Sequence, residues 1–332
     1  MDIKIINLRA IAILIVVLGH SIILYDPAWG IYHSDITMPL FLFLKRYLIN
    51  PIQMPIFFFI SGFLFYHSIT GKKDLSLKRF FRSKIFRLIV PYFCIAFLWM
   101  DPIKWIVGAP GFEEISNFKS IVFYQTTFSG YLGHLWYLPT LFGVFSISFL
   151  CFYLLSRIFS TSNNTYIHIG LFIVFLLLHN FAHYFPTTLC FSLIASYLVY
   201  FQGGVLFNLL ITNKLPPPIK KLTTTTNILF WSIALLGAIY FVKVRVIFVL
   251  LFIFFSYMLL PSRTNNFIKN ISKNSYGIYL FHSPLIYITY TYFTNANPIF
   301  VLFLNFVVMG TISYILTVYI SKTKFKFIIG GK

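Results

Sequence analysis

The chain has 332 residues, of which 59% are hydrophobic and 10% are charged, with a formal net charge of +19. An ordinary soluble domain carries about 25% charged residues to face water, so this composition excludes one. The basic residues stand at the ends of apolar runs rather than on one surface, which argues against a nucleic-acid partner. The three cysteines lie inside apolar runs without ligand spacing, so we expect neither a disulfide framework nor a metal site.

Apolar runs recur along the chain at about 20 residues each, the length that a helix needs to cross a bilayer. They predict an all-α fold, a polytopic transmembrane helical bundle with about ten spans. Pro186 is the break that separates the fifth predicted span from the sixth. The predicted spans are 5–24, 52–70, 87–106, 134–155, 166–183, 188–210, 227–242, 246–261, 275–293 and 299–320.

The distribution of lysine and arginine predicts that both termini lie in the cytosol, because most of the 26 basic residues then fall in cytosolic segments. Lys45 and Arg46 are exceptions and are expected in an outer segment. We expect a single transmembrane domain over residues 1–332, with no soluble extracytoplasmic domain attached.

The first predicted span carries Arg9 and, after ten further residues, His20. At about 100° per residue the two side chains project from one helix face, about 16 Å apart along the axis. An arginine that reaches the lipid surface and a histidine that bonds a neighbouring helix would give the same pattern. In a dry site, however, a neutral imidazole takes a proton from a hydroxyl group.

A basic segment, Lys72–Phe93, mixes dense positive charge with aromatic residues. Such a segment is typical of a topology signal that touches anionic lipid. Arginine also binds phosphate in bidentate fashion, so the segment is equally a candidate cradle for a polyanion. The candidate ligands of that polyanion are Arg79, Arg82, Lys84 and Arg87.

Four further polar residues stand inside or beside apolar runs. Ser61, with Gly62, interrupts the second span and favours close helix packing or a site near His20. His134 and Trp136 follow the long outer segment, where a tryptophan is also typical of an interfacial belt. His282 lies in the middle of the ninth predicted span. Each is a candidate substrate-binding or supporting residue.

Together these motifs resemble the acyltransferase-3 family of integral membrane O-acyltransferases, over essentially the whole chain. The resemblance rests on the Arg9–His20 spacing, on FFFISGFLF at 57–65 and on the basic segment that closes in Pro91. It also rests on HLWYL at 134–138 and SYGIYLFH at 275–282.

The resemblance implies a multi-pass enzyme of the bacterial cytoplasmic membrane, surrounded by lipid. Members take an acyl group, commonly acetyl, from acyl-CoA in the cytosol and deliver it to a hydroxyl of a cell-surface or lipid-linked carbohydrate. The family's catalytic pair maps onto Arg9 and His20. Its RxxR motif fits Arg79 and Arg82 literally, whereas the distance to Pro91 favours Lys84 and Arg87 for binding the donor.

Two mechanisms stay open, with His20 either as general base or as a transient acyl-imidazole. Two other protein classes stay open as well. A lipid-linked glycan transporter would need a large polar cavity, and a polysaccharide polymerase would be expected to have an outer loop rich in arginine. The outer segment 107–133 contains no arginine, which ranks the polymerase last. The sequence does not indicate the acceptor sugar, the acyl chain or the oligomeric state.

Overall fold

The computed structural model describes residues 2–32, 34–69, 76–109, 112, 117–129, 133–158, 165–212 and 245–331, and its regular elements there are all helical. We number ten helices in chain order. They are α1 (Ile3–Ser21), α2 (Pro39–Ile69), α3 (Leu77–Ile106), α4 (Phe118–Thr126), α5 (Gly133–Arg157), α6 (Thr165–Asn180), α7 (Thr188–Thr212), α8 (Arg245–Leu259), α9 (Asn266–Tyr292) and α10 (Pro298–Ser321).

Six helices in the described part of the chain are long and apolar enough to cross a membrane: α1, α2, α3, α5, α7 and α10. Helices α6 and α8 are apolar but shorter. The predicted all-α membrane bundle is therefore confirmed. The predicted span 227–242 lies outside the described residues. The count of ten spans and the cytosolic location of both termini stay predictions.

Three helices, α2, α3 and α9, begin well before their predicted spans. Helix α2 begins at Pro39, which suits the first turn of a helix because its missing N–H needs no partner there. Lys45 and Arg46 are therefore helical, and their location on the outer side stays a prediction. Helix α3 begins at Leu77, so the described part of the basic segment is helical as well. Hydropathy misses such charged helix ends because a helix satisfies its backbone hydrogen bonds on either side of the lipid boundary.

The chain divides into two compact units. The first unit comprises Met1–Arg9, Met54–Arg82 and Thr140–Thr264, and the second unit comprises Ala10–Gln53, Ser83–Pro139 and Asn265–Lys332. The divisions fall within α1, α2, α3 and α5, so each of these helices contributes residues to both units. The prediction of a single domain stays a prediction.

In the first unit, α2 crosses α7 at two glycines. A Cβ atom on Gly62 would lie 1.8 Å from the carbonyl oxygen of Phe201, and one on Gly204 would lie 1.9 Å from that of Phe59. Beside this crossing, the Asn208 amide donates to the carbonyl of Phe63 at 2.9 Å. Small residues thus allow direct backbone contact, which is how helices pack closely in lipid.

In the second unit, α9 is the most buried helix and fixes the end of α1. Asn305, on a π-helical turn of α10, accepts a hydrogen bond from Thr289 of α9 at 2.6 Å. Its amide nitrogen lies 3.4 Å from the carbonyl of Ser21, the last residue of α1. This network holds the turn of α1 that carries His20 against α9 and α10.

Candidate active site

His20 lies in the last turn of α1, and its own helix sets the state of its ring. Nδ1 is 2.9 Å from the carbonyl oxygen of Val16, one turn earlier. A carbonyl oxygen accepts hydrogen bonds and cannot donate them, so Nδ1 carries the ring proton. In the neutral ring Nε2 then has a lone pair, which is the form that takes a proton or attacks a carbonyl carbon.

His282 stands edge-on to His20, with ring centroids 4.9 Å apart and an interplanar angle of 81°. Its Nδ1 donates to the carbonyls of Ile278 and Tyr279, at 3.0 and 2.9 Å. The side chain is 1% exposed, and its Nε2 has no hydrogen-bond partner among the described residues. A buried lone pair without a donor is costly, so a hydrogen-bond donor placed at this nitrogen would be favourable.

A proline in α9 brings the third histidine to this place. Pro284 has no N–H, so the carbonyl of Leu280, four residues earlier, loses its helical partner. His134 supplies one, since its Nε2 lies 3.2 Å from that oxygen and must donate to it. The His134 ring centroid then lies 5.6 Å from that of His282. His134, His282 and His20, which we call the histidine cluster, thus lie together in the second unit.

Tyr279 fixes the backbone at the start of α5. Its hydroxyl donates to the carbonyl of His134, and its ring packs on the ring of Tyr137 with centroids 5.3 Å apart. The neighbouring Trp99 indole nitrogen lies 3.3 Å from the carbonyl of Phe281 on α9. These contacts fix the backbone beside His134 and His282, so the protein itself positions the two rings.

Lys45 is a component of the site that the sequence reasoning missed. Its ammonium donates to the carbonyl of Gly19 at 3.0 Å, immediately before His20, and the side chain is 6% exposed. Gly19 allows α2 to pack closely on α1 at this point, because a Cβ on Gly19 would lie 2.7 Å from side-chain atoms of both Ile49 and Gln53 of α2. The sequence does contain one signal that could have identified it. Lys45 is a lysine inside an apolar stretch, and membrane proteins retain such a charge where it has a use.

Several buried polar residues also lie near the C-terminal end of α3. Gln125 of α4 lies 3.4 Å from a carboxylate oxygen of Asp101 and accepts a hydrogen bond from Tyr92 at 2.5 Å. One turn after Asp101, the buried ammonium of Lys104 lies 4.9 Å from the ring centroid of Tyr287. These groups tie α3, α4 and α9 together beside the histidine cluster.

The four basic candidates all lie on α3, but they divide between the units. Arg79 and Arg82 belong to the first unit, whereas Lys84 and Arg87 belong to the second, which holds the histidine cluster. Arg87 is exposed, and its carbonyl accepts a hydrogen bond from the hydroxyl of Tyr276 at 2.7 Å. Tyr276 is almost two turns before His282 on α9, so Arg87 is connected to the helix that carries the cluster.

The remaining candidates have less defined surroundings. Arg9 lies on α1 with His20, as predicted, and belongs to the first unit. Ser61 is partly buried on α2 beside Gly62, also in the first unit, and its predicted contact with His20 stays a prediction. Trp136 is partly buried in the first turn of α5, two residues after His134.

The cluster offers base or nucleophile chemistry rather than a metal centre. In the described ranges, no three histidine, cysteine or acidic side chains are placed to hold a metal ion. The rings meet edge to face, and each donates one ring N–H to a backbone carbonyl, so in the neutral form the other nitrogen of each ring is an acceptor. A buried ammonium beside neutral imidazoles suits a reaction in which a hydroxyl loses a proton and a carbonyl oxygen gains negative charge.

Comparison with known proteins agrees with this chemistry. The acyltransferase-3 family model, described as an acyltransferase domain, matches residues 2–322. No curated protein and no solved structure matches the chain. The family match covers nearly the whole chain, including all the candidate site residues. The chain therefore belongs to the acyltransferase-3 family and is a membrane acyltransferase.

Proposed function

We propose that the protein transfers an acyl group, acetyl in the simplest case, from cytosolic acyl-CoA to a hydroxyl of a carbohydrate. The acceptor is a cell-surface or lipid-linked sugar, and the enzyme works in the bacterial cytoplasmic membrane. The observation that carries the proposal is the edge-to-face pair of imidazoles formed by the partly buried His20 and the buried His282, in a chain of this family. Such a pair serves proton transfer from a hydroxyl, the step that a sugar acceptor requires.

In the proposed reaction, Nε2 of His20 takes the proton of the sugar hydroxyl as its oxygen attacks the carbonyl carbon of the thioester. The new carbon–oxygen bond forms and the carbon–sulfur bond breaks. The proton then passes from His20 to the departing thiolate, which leaves as coenzyme A. Proton transfer of this kind typically contributes roughly 10²- to 10⁴-fold to the rate.

Lys45 and Arg9 have electrostatic roles in this proposal. The ammonium of Lys45, held at the carbonyl of Gly19, favours the negative charge that develops on the thioester oxygen. Arg9, on the same helix, is the residue that the family resemblance pairs with His20, and it supports the charge of the reacting groups from the same side. The basic residues Lys84 and Arg87, with Arg79 and Arg82, hold the phosphates of coenzyme A on the cytosolic side.

The competing mechanism uses His20 as a nucleophile. A lone pair on Nε2 is also competent to attack the thioester and form an acyl-imidazole, which then passes the acyl group to the sugar. Incubating the purified protein with radiolabelled acetyl-CoA in the absence of acceptor separates the two mechanisms. Label bound to wild-type protein and absent from His20→Ala supports the acyl-imidazole, whereas unlabelled protein supports the general base.

The experiment that tests the function itself compares glycans from cells with and without the gene. We expect mass spectrometry to find acyl esters on a surface or lipid-linked glycan when the gene is present and to lose them when it is deleted. Equal ester content in the two strains, at a confirmed level of the protein, would refute the proposed reaction. A glycan transporter would instead change the amount of exported glycan and leave its acylation unchanged.

A further inference from the structure

The Nε2 atom of His282 has no role in the proposed reaction, and it leads to an inference about the acceptor. This inference rests on the proposed function. We propose that His282 Nε2 binds a second hydroxyl of the acceptor, on the carbon next to the one that is acylated. The acceptor is then a sugar with a vicinal diol, in which one hydroxyl reacts at His20 and its neighbour anchors at His282.

The first step of the argument is that His282 cannot donate through Nε2 in its neutral state. Its single ring proton is held on Nδ1 by two carbonyls of its own helix, those of Ile278 and Tyr279. Nε2 is therefore an acceptor, and it requires a donor such as a hydroxyl group.

The second step is that the protein supplies no such donor. Nε2 of His282 is buried without a partner among the described residues, although buried polar atoms are nearly always paired. The surrounding contacts hold the ring in place: His134 packs at 5.6 Å and bonds the carbonyl that Pro284 leaves unpaired. The lone pair is thus kept fixed and unsatisfied rather than turned toward a helix neighbour.

The third step is the position of His20. Its ring centroid is 4.9 Å from that of His282, and its Nδ1 is held in the same way by Val16. The two rings do not bond to each other through their Nε2 atoms, since each of these nitrogens is an acceptor. Two acceptors on rings in direct contact suit two hydroxyl donors on adjacent carbons, and a mono-alcohol would leave one of them unpaired.

The position of the ester in the product tests this arrangement without any protein variant. We expect nuclear magnetic resonance of the glycan from wild-type cells, kept at mildly acidic pH to prevent acyl migration, to place the ester beside a carbon with a free hydroxyl. An ester whose neighbouring ring carbons are all deoxygenated or substituted would overturn the inference and leave the proposed function intact. A glycan without any ester would instead refute the proposed function.

Variants of His282 provide the second measurement, read as ester content per amount of protein in the membrane. His282→Phe keeps an aromatic ring but removes the acceptor, and we expect it to lower acylation by roughly tenfold or more, as loss of a buried hydrogen bond predicts. His282→Gln restores an acceptor oxygen near the position of Nε2 and should recover part of the loss. His179→Phe is the matched control, because His179 bonds to the Ser196 carbonyl in the first unit and should retain wild-type acylation.

Each outcome decides the inference. A low ester content in His282→Phe with partial recovery in His282→Gln supports an acceptor-binding role. Wild-type acylation by His282→Phe overturns it, and so does an equal loss in both variants at equal abundance, because a ring that only packs is not rescued by an amide. The position of the ester decides the case if His282→Phe fails to accumulate.

Discussion

The imidazole of His20 meets the imidazole of His282 edge to face, with ring centroids 4.9 Å apart. The two residues are separated by most of the chain, and each ring is oriented by carbonyls of its own helix. The pair is therefore assembled by the packing of α1 on α9, while the tautomer of each ring is decided locally. Preorganisation of this kind lowers the cost of bringing a hydroxyl and a base together.

Replacing Pro284 by alanine should separate activity from stability. The alanine would supply the N–H that bonds the Leu280 carbonyl, so His134 would lose its partner while α9 would become a more regular helix. We expect acylation to fall by roughly tenfold, and the thermal midpoint in detergent to stay equal or to rise.

The control for this variant is Pro298→Ala. Pro298 stands at the first turn of α10, where no helical carbonyl lacks a partner because of it. It should leave acylation unchanged. Full activity of Pro284→Ala would show that His134 has no part in positioning His282.

Lys45→Met should abolish most of the activity, although the neighbouring Arg46 should tolerate the same change. The substitution removes the buried ammonium at the Gly19 carbonyl, and loss of one such electrostatic group costs about 10²-fold or more in kcat. Arg46→Met is the control, because Arg46 is exposed and pairs with Asp26 at 2.8 Å. Steady-state acyl transfer by the purified proteins measures both, and a value of kcat for Lys45→Met similar to that of the wild type would exclude the role.

Gly62→Ala should damage the fold rather than the chemistry. Its Cβ would lie 1.8 Å from the backbone oxygen of Phe201, so α2 and α7 would have to separate. Overpacking typically costs roughly 1–3 kcal/mol, and a backbone clash belongs at the upper end. Gly170→Ala on α6 has open space and is the matched control. Thermal unfolding in detergent should show a lower midpoint for Gly62→Ala alone, and equal midpoints would mean that the crossing adapts.

Substitutions on α3 should rank the basic residues. Arg87→Gln should raise the KM for acetyl-CoA several-fold with little change in kcat, because Arg87 is exposed in the unit of the histidine cluster and is joined to α9 through Tyr276. Arg79→Gln, on the part of α3 in the first unit, should have a smaller effect. The difference should shrink at high salt, which screens exposed charges. A larger effect of Arg79→Gln would assign the donor to the literal RxxR pair.

Local sequence signals predicted much of the fold and part of the site. Apolar runs placed α1, α5, α7 and α10 within a few residues of their observed bounds, because helices in lipid must be long and apolar. The first apolar run also predicted that Arg9 and His20 lie on one helix, while their projection from one face of it stays a prediction. Hydropathy missed the charged beginnings of α2 and α3, and with them the helical, buried position of Lys45.

The association of the three histidines was beyond local reasoning. His20, His134 and His282 were each singled out as polar residues inside or beside apolar runs, but their contacts depend on how α1, α5 and α9 pack. One signal was present in the sequence: Pro284 stands two residues after His282 and leaves the Leu280 carbonyl unpaired. A freed carbonyl inside a buried helix requires a donor, and His134 is the residue that provides it.

The central claim is that His20 takes the proton of the acceptor hydroxyl, or carries the acyl group itself. The most direct test is the ester content of the glycan from cells in which His20→Ala protein accumulates in the membrane at the wild-type level. We predict that acylation falls to the level of cells without the gene. Near-normal acylation by His20→Ala would contradict both mechanisms and would leave the histidine cluster with a structural role.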